Sequence, residues 1–168
     1  MGRGSAGWAA RADDASTLFT NPAGMARADA QGLLLGGQLT FGQFSFEPGS
    51  DNGVAGTGGG NPVGWVPGGS AFYTRALGER WSAGLGAFTY FGLAAEYDRD
   101  WVGRYYVQKS GLMGFTLMPA VSFRVNEKLS LGAGFNWMLG FFNQENAVSN
   151  AEKVPDWRMV VCDIPSTT

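Results

Sequence analysis

The chain has no histidine and one cysteine, Cys162, among its 168 residues. Without imidazole there is no Ser-His-Asp or Cys-His engine, no imidazole-held zinc and no histidine general base. A lone cysteine makes neither an intramolecular disulfide nor a thiolate metal cluster. Charge is scarce too: Asp, Glu, Lys and Arg make up 15%, where soluble domains average about 25%. The net charge of −2 comes without a block of one sign, which gives no footprint for nucleic acid. No run reaches the roughly 18 apolar residues of a transmembrane helix. Met1 to Ala10 lacks the basic, apolar, small-residue order of a secretory signal.

Glycine and aromatic residues are abundant instead, with 27 Gly, 12 Phe and 6 Trp. That is too apolar for a disordered chain, and the glycines keep no three-residue period of the collagen kind. The few charges are also unevenly placed. Segments 30–46, 81–95, 112–123 and 129–144 contain none. These segments alternate with period two, the strand signature. In 81–93 the odd positions include Leu85, Phe91 and Leu93, and the even ones Ser82, Gly84, Gly86, Phe88, Tyr90 and Gly92. In 112–125 Phe115, Leu117, Val121 and Phe123 oppose Gly114, Thr116, Met118, Ala120 and Ser122. In 129–142 Leu129, Leu131, Phe135 and Trp137 oppose Ser130, Gly132, Gly134 and Asn136. The strand over 32–46 shows the pattern more weakly, and that over about 70–77 has mixed parity.

A half-buried soluble strand alternates as well, but with Lys, Glu or Thr on its wet face. Here one face is bulky and apolar and the other small and uncharged, the inverted arrangement of an antiparallel transmembrane β-barrel. About 13 residues at roughly 3.3 Å each, tilted, rise about 30 Å, a hydrocarbon core's thickness. The connections agree. Gly78-Glu79-Arg80 and Asn126-Glu127-Lys128 are tight turns, while 47–69 and 94–111 are long loops. Short and long connections in alternation are the topology of outer-membrane barrels. The reading is therefore all-β: a short, partly helical segment at 1–30, about five barrel strands over 31–143, and the start of a third long loop at 144–168.

The run Gly4-Ser5-Ala6-Gly7-Trp8-Ala9-Ala10-Arg11-Ala12-Asp13-Asp14-Ala15-Ser16-Thr17, followed by Asn21-Pro22-Ala23-Gly24-Met25, resembles the N-terminal plug of FadL-type outer-membrane transporters. Phe91 to Tyr97 with Trp101-Val102-Gly103-Arg104-Tyr105 is similar to that family's second long loop. Pro119 to Asn126 with Leu129 to Gly134 is similar to its fourth and fifth strands. The resemblance spans residue 2 to about 163. It implies a barrel of about fourteen strands closed around a hatch. It also implies passive uptake of long-chain fatty acids or aromatic hydrocarbons, caught on loops, held in the lumen and released sideways through a kinked strand, with no cofactor, no metal and no enzyme activity expected. The expected partners are such hydrophobic molecules and outer-membrane lipid, with a monomeric barrel at full length. Against that pattern the chain starts inside the hatch without a leader and stops after five strands. It is thus expected to be an N-terminal fragment or truncated gene model, non-functional alone, because an open sheet in lipid leaves backbone groups unpaired.

Several residues are candidates for function within this frame. Asn21, Pro22, Ala23 and Gly24 form either a hatch gate or an ordinary turn after a helix begun at Asp13 to Ser16. Phe88, Tyr90 and Met118, large among small inward neighbours, form either a lumenal ligand pocket or a seat for the hatch. Trp101, Arg104, Tyr105 and Tyr106 form either a ligand-capture groove or girdle aromatics on a charged loop. Gly92 is a candidate strand kink. Arg124 is expected to face inward and pair with Asp13, Asp14 or Asp29. Gly2 to Gly7 spells a dinucleotide fingerprint, but no strand precedes it, so nucleotide binding is not expected. The competing functions are a non-transporting structural or adhesive barrel, a lipid-active membrane enzyme, and a soluble lipid-binding barrel.

Overall fold

The computed structural model describes residues 7, 10, 12–27, 31–50, 53–149 and 159–163, the last stretch by its backbone pairing. Gly2 to Ala6 of the fingerprint run, Asp29, residues 150–158 and the tail from 164 lie outside the described residues.

A helical turn α1 (Thr17–Thr20) and a 3₁₀ turn (Pro22–Ala26) precede seven strands. These are β1 (Gln31–Phe41), β2 (Trp65–Ala76), β3 (Trp81–Glu96), β4 (Lys109–Arg124), β5 (Ser130–Gly134), β6 (Trp137–Ala147) and β7 (Met159–Asp163). They form one sheet in the order β1-β2-β3-β4-β6-β7, with β5 also on β4. The register pairs Ser70 with Phe88 through Ala76 with Ser82, and Ala120 with Gly134 through Arg124 with Ser130, both antiparallel.

The two tight turns are set by local chemistry. At one, Gly78 takes φ 137°, a region L side chains rarely enter, and Leu77 N–H donates to the Trp81 carbonyl at 2.8 Å. At the other, the Asn126 side-chain oxygen accepts from the N–H groups of Lys128 and Leu129 at 2.9 and 2.8 Å. Asparagine reaches its own downstream backbone this way, which closes the hairpin.

Several boundaries differ from the sequence reading. β1 ends at Phe41 rather than running to 46, and the loop read as 94–111 narrows to 97–108 between β3 and β4. β2 begins at Trp65 rather than near 70, because neighbours on both sides outweigh the loop-like Pro67-Gly68-Gly69 composition. The fifth strand is split at Phe135–Asn136 and its second part runs on to Ala147. Phe135 N–H donates to the Pro119 carbonyl at 3.0 Å, but proline has no N–H to return the bond, so the ladder lapses there. Finally, Met159–Asp163 pairs back onto Asn143–Ala147 as a further strand, within what reads as loop.

Chain packing divides the protein into two compact units. The first comprises Met1–Gly37, Gly69–Thr89 and Phe115–Met138, and contains the hatch and the tight turns. The second comprises Gln38–Gly68, Tyr90–Gly114 and Leu139–Thr168, and contains the long loops. In the first unit the alternation of faces is direct: Phe115 and Val121 are 45% and 49% exposed, Thr116 and Ser122 only 2% and 1%. The hatch packs on the small-residue face, so the bulky face is the outer one. That is the orientation an outer-membrane barrel requires.

Candidate functional site

In the first unit the hatch is built from short-range polar contacts and fixed by apolar ones. Asp14 Oδ1 accepts from Ser16 N–H at 2.8 Å and Ser16 Oγ at 2.5 Å. It thus takes the capping part in front of α1, whose N-cap Ser16 makes no side-chain cap bond. Pro22 ends α1 and starts the 3₁₀ turn at its first positions, where a missing N–H costs nothing. Asn21 bridges the two turns: its N–H donates to the Thr17 carbonyl and its carbonyl accepts from Gly24 N–H, both at 2.8 Å.

Against the wall, Ala15, Leu18 and Met25 of the hatch form one buried cluster with Phe72, Phe88, Met118 and Ala120, flanked by Phe19 and Leu34. Phe88 meets Phe19 edge-on at 4.9 Å between centroids and Phe72 at 5.6 Å, within the range where aromatic pairs attract. Wall glycines give the hatch its room. A Cβ on Gly132 would collide with the Pro22–Ala23 backbone, whereas one on Gly134 would stand 2.6 Å from Met118 Cε within the wall itself. Arg124 Nη2 donates to the Ala26 carbonyl. The contact thus falls on hatch backbone, where the sequence reading placed a carboxylate. A main-chain carbonyl at a turn end is itself an unsatisfied acceptor. Thr116 and Ser122 bury their hydroxyls on the same face of β4 without a hydrogen-bond partner among the described residues.

The structure therefore brings Phe88 and Met118 together under the hatch. Tyr90 belongs to the second unit, is 59% exposed, and meets Phe91 edge-on at 6.2 Å. Gly92 lies within β3, which continues to Glu96, and its φ is not among the positive ones.

In the second unit the two long loops are knitted to each other. Thr57 and Trp101 form a parallel bridge. Thr57 N–H donates to the Asp100 carbonyl at 2.9 Å, and Val102 N–H to the Thr57 carbonyl at 3.1 Å. Trp101 is the keystone: buried, stacked on Tyr97 at 3.6 Å and 6°, with a Cβ on either Gly59 or Gly103 falling against its ring. Its Nε1–H has no hydrogen-bond partner among the described residues. Arg104 Nη1 donates to the carbonyls of Ala55 and Trp101, both at 3.0 Å, and its guanidinium lies 4.8 Å above the Tyr105 ring. Tyr106 is strongly exposed. Of the four loop candidates, Trp101 and Arg104 thus hold the loops, and Tyr106 presents a ring to the outside.

Sequence reasoning missed Leu18, Met25 and Asn61. The Asn61 side chain bonds the Gly42 and Val63 carbonyls and the Phe44 N–H, at 3.0, 2.8 and 2.9 Å. Its setting, Gly-Gly-Asn-Pro, falls in the long loop read as 47–69; its reach across 17 residues to Phe44 left no local trace.

Comparison with known proteins adds the following. The profile of the family described as outer membrane protein transport protein (OMPP1/FadL/TodX) matches residues 1–162. Outer membrane protein P1 of Haemophilus influenzae strain Rd is 29% identical, over 81% of this chain and 33% of that protein. A second Haemophilus influenzae outer membrane protein P1 matches at the same 29%, with 81% and 33% covered. A crystal structure of a Pseudomonas aeruginosa FadL homologue superposes with a TM-score of 0.64 at 22% identity, covering 80% of this chain and 34% of that one. The chain thus spans about a third of the length of these relatives.

Proposed function

Since the chain belongs to the OMPP1/FadL/TodX family of outer-membrane transport proteins, we propose that it supplies the hatch and first wall strands of a barrel that admits long-chain fatty acids by passive diffusion. The observation that carries this reading is the apolar cluster between hatch and wall. A bore for polar solutes has no use for Phe72, Phe88 and Met118 on its inner face, whereas an alkyl chain is recognised by such a surface. Phe88 and Met118 line the lumenal site, Asn21 to Gly24 form the moving edge of the hatch, and Tyr106, with Tyr105 beside it, meets the ligand first. Trp101 and Arg104 hold the capturing loops in shape, and Gly92 is the point at which β3 yields.

A second ligand class, aromatic hydrocarbons, is favoured by the ring trio Phe19, Phe72 and Phe88. Uptake of radiolabelled oleate and toluene by cells carrying the full-length gene, against a deletion strain, tests both. Oleate accumulation above the deletion background is expected. Toluene alone would transfer the assignment to aromatic compounds, and neither would favour a non-transporting barrel.

A further inference from the structure

In the hatch-bearing unit the described strands carry two charged residues, Arg75 and Arg124. Arg124 turns inward and donates to the Ala26 carbonyl. Arg75 lies on the other face. Phe72 and Thr74 of β2 are buried on the hatch side, so alternation sends Tyr73 and Arg75 outward, and both are exposed. The register sets Tyr73 opposite Leu85 and Arg75 opposite Ala83, neither of which offers a guanidinium a partner. Among the described residues the Arg75 side chain makes no ion pair and no hydrogen bond. Its height is fixed as well. It is the next-to-last residue of β2, and just beyond it Leu77 N–H donates to the Trp81 carbonyl in the tight turn. Trp81 is exposed and packs on Phe123 with ring centroids 4.7 Å apart.

A cation on the outward face of a barrel is costly at the bilayer centre and tolerated near its edges. Trp and Tyr rings settle at headgroup level, and an arginine stem reaches there while its head stays wet. Tight turns of outer-membrane barrels face the periplasm, so Arg75 stands level with the headgroups of the periplasmic leaflet. There the phosphodiester is the group that matches a planar fork of N–H donors. We propose that Arg75, framed by Tyr73 and Trp81, binds the phosphate of an anionic glycerophospholipid in that leaflet. A zwitterionic headgroup carries its own ammonium, which competes for the same phosphate oxygens; an anionic one leaves them to the protein. Glu79 and Arg80 in one turn, and Glu127 and Lys128 in the other, offset each other in charge. Arg75 therefore carries the selectivity. The site lies outside the barrel and does not depend on what passes through the bore.

The test is native mass spectrometry of the full-length protein in detergent, titrated with phosphatidylglycerol or phosphatidylethanolamine of identical acyl chains. Heat-modifiable migration checks folding. Wild type is expected to bind its first phosphatidylglycerol about fivefold more tightly than phosphatidylethanolamine, the factor that one near-surface cation represents. Arg75→Gln should bind the two lipids equally, and Arg75→Lys, which keeps the charge and loses the fork, should retain only part of the preference. Arg80→Gln and Lys128→Gln should each select as wild type does. No preference in wild type, a preference that survives Arg75→Gln, or an equal loss in all three neutral variants would overturn the site. So would displacement of phosphatidylglycerol by millimolar inorganic phosphate, which would mark an aqueous anion site in place of a lipid one. Should Arg75→Gln not assemble, Arg75→Lys decides: an undiminished preference would overturn the proposal.

Discussion

The two units are held by different forces. In the hatch-bearing unit, apolar side chains meet across glycine-cleared wall, and the buried hydroxyls of Thr116 and Ser122 have no hydrogen-bond partner among the described residues. In the loop-bearing unit, cohesion comes from backbone bridges, Asn61, Arg104 and a stacked ring pair. Apolar packing is non-directional and can be exchanged for another apolar partner. A hydrogen-bonded knot is directional and must be broken bond by bond. Under the function proposed above, the first kind suits a part that yields to a hydrophobic ligand, and the second a part that keeps its shape in water.

The contrast can be broken most forcefully at Trp101. In the full-length protein Trp101→Ala removes the keystone ring, at a cost of about 3–5 kcal/mol for a buried aromatic. Limited proteolysis should then cut within 42–64 and 97–108 while tryptic cleavage after Arg27 stays at the wild-type level. Cleavage at Arg27 rising in step would show that the two kinds of cohesion are not separate.

The converse change is Gly132→Ala. Its methyl lands on the Pro22–Ala23 backbone, which cannot rotate away as a side-chain end can, and overpacking of this kind costs about 1–3 kcal/mol. The expected result is a hatch open to trypsin with unaltered loop proteolysis. Asn61→Ala deletes three hydrogen bonds that close the base of the first long loop, about 1–2 kcal/mol in total after water replaces them. A modest rise in loop cleavage, well below that of Trp101→Ala, is expected. The smallest effect belongs to Glu96→Gln. The Lys109–Glu96 pair spans 3.1 Å but is exposed, and such pairs are screened by salt and stabilise little. Thermal unfolding of this variant should match wild type at moderate ionic strength; a clear drop would mean that the loop-bearing unit depends on charge as well as on its knot.

The strands over 81–93, 112–125 and 129–142, their facing, and the two tight turns were legible in the sequence because each has a local cause. Period-two alternation is a property of neighbouring residues, and Gly78 and Asn126 act within their own turns. The candidate site was legible by half. Phe88 and Met118 stood out as large side chains on a small face, yet the same parity placed Tyr90 with them, and the structure puts Tyr90 in the other unit. Leu18 and Met25 carried no signal, since a leucine and a methionine in a short hatch segment have no periodicity to declare their partners.

What the amino-acid order decided alone is which face of the clearly alternating strands is bulky and which is small, through the strict alternation of side chains along an extended backbone. That in turn fixes the side on which any hatch or ligand must lie. What the three-dimensional arrangement decided is which glycine faces which hatch atom, that Pro119 interrupts the ladder at Phe135, and that Arg124 ends on the Ala26 carbonyl. These contacts join residues tens of positions apart. Their geometry depends on strand register and chain return, which no local pattern encodes.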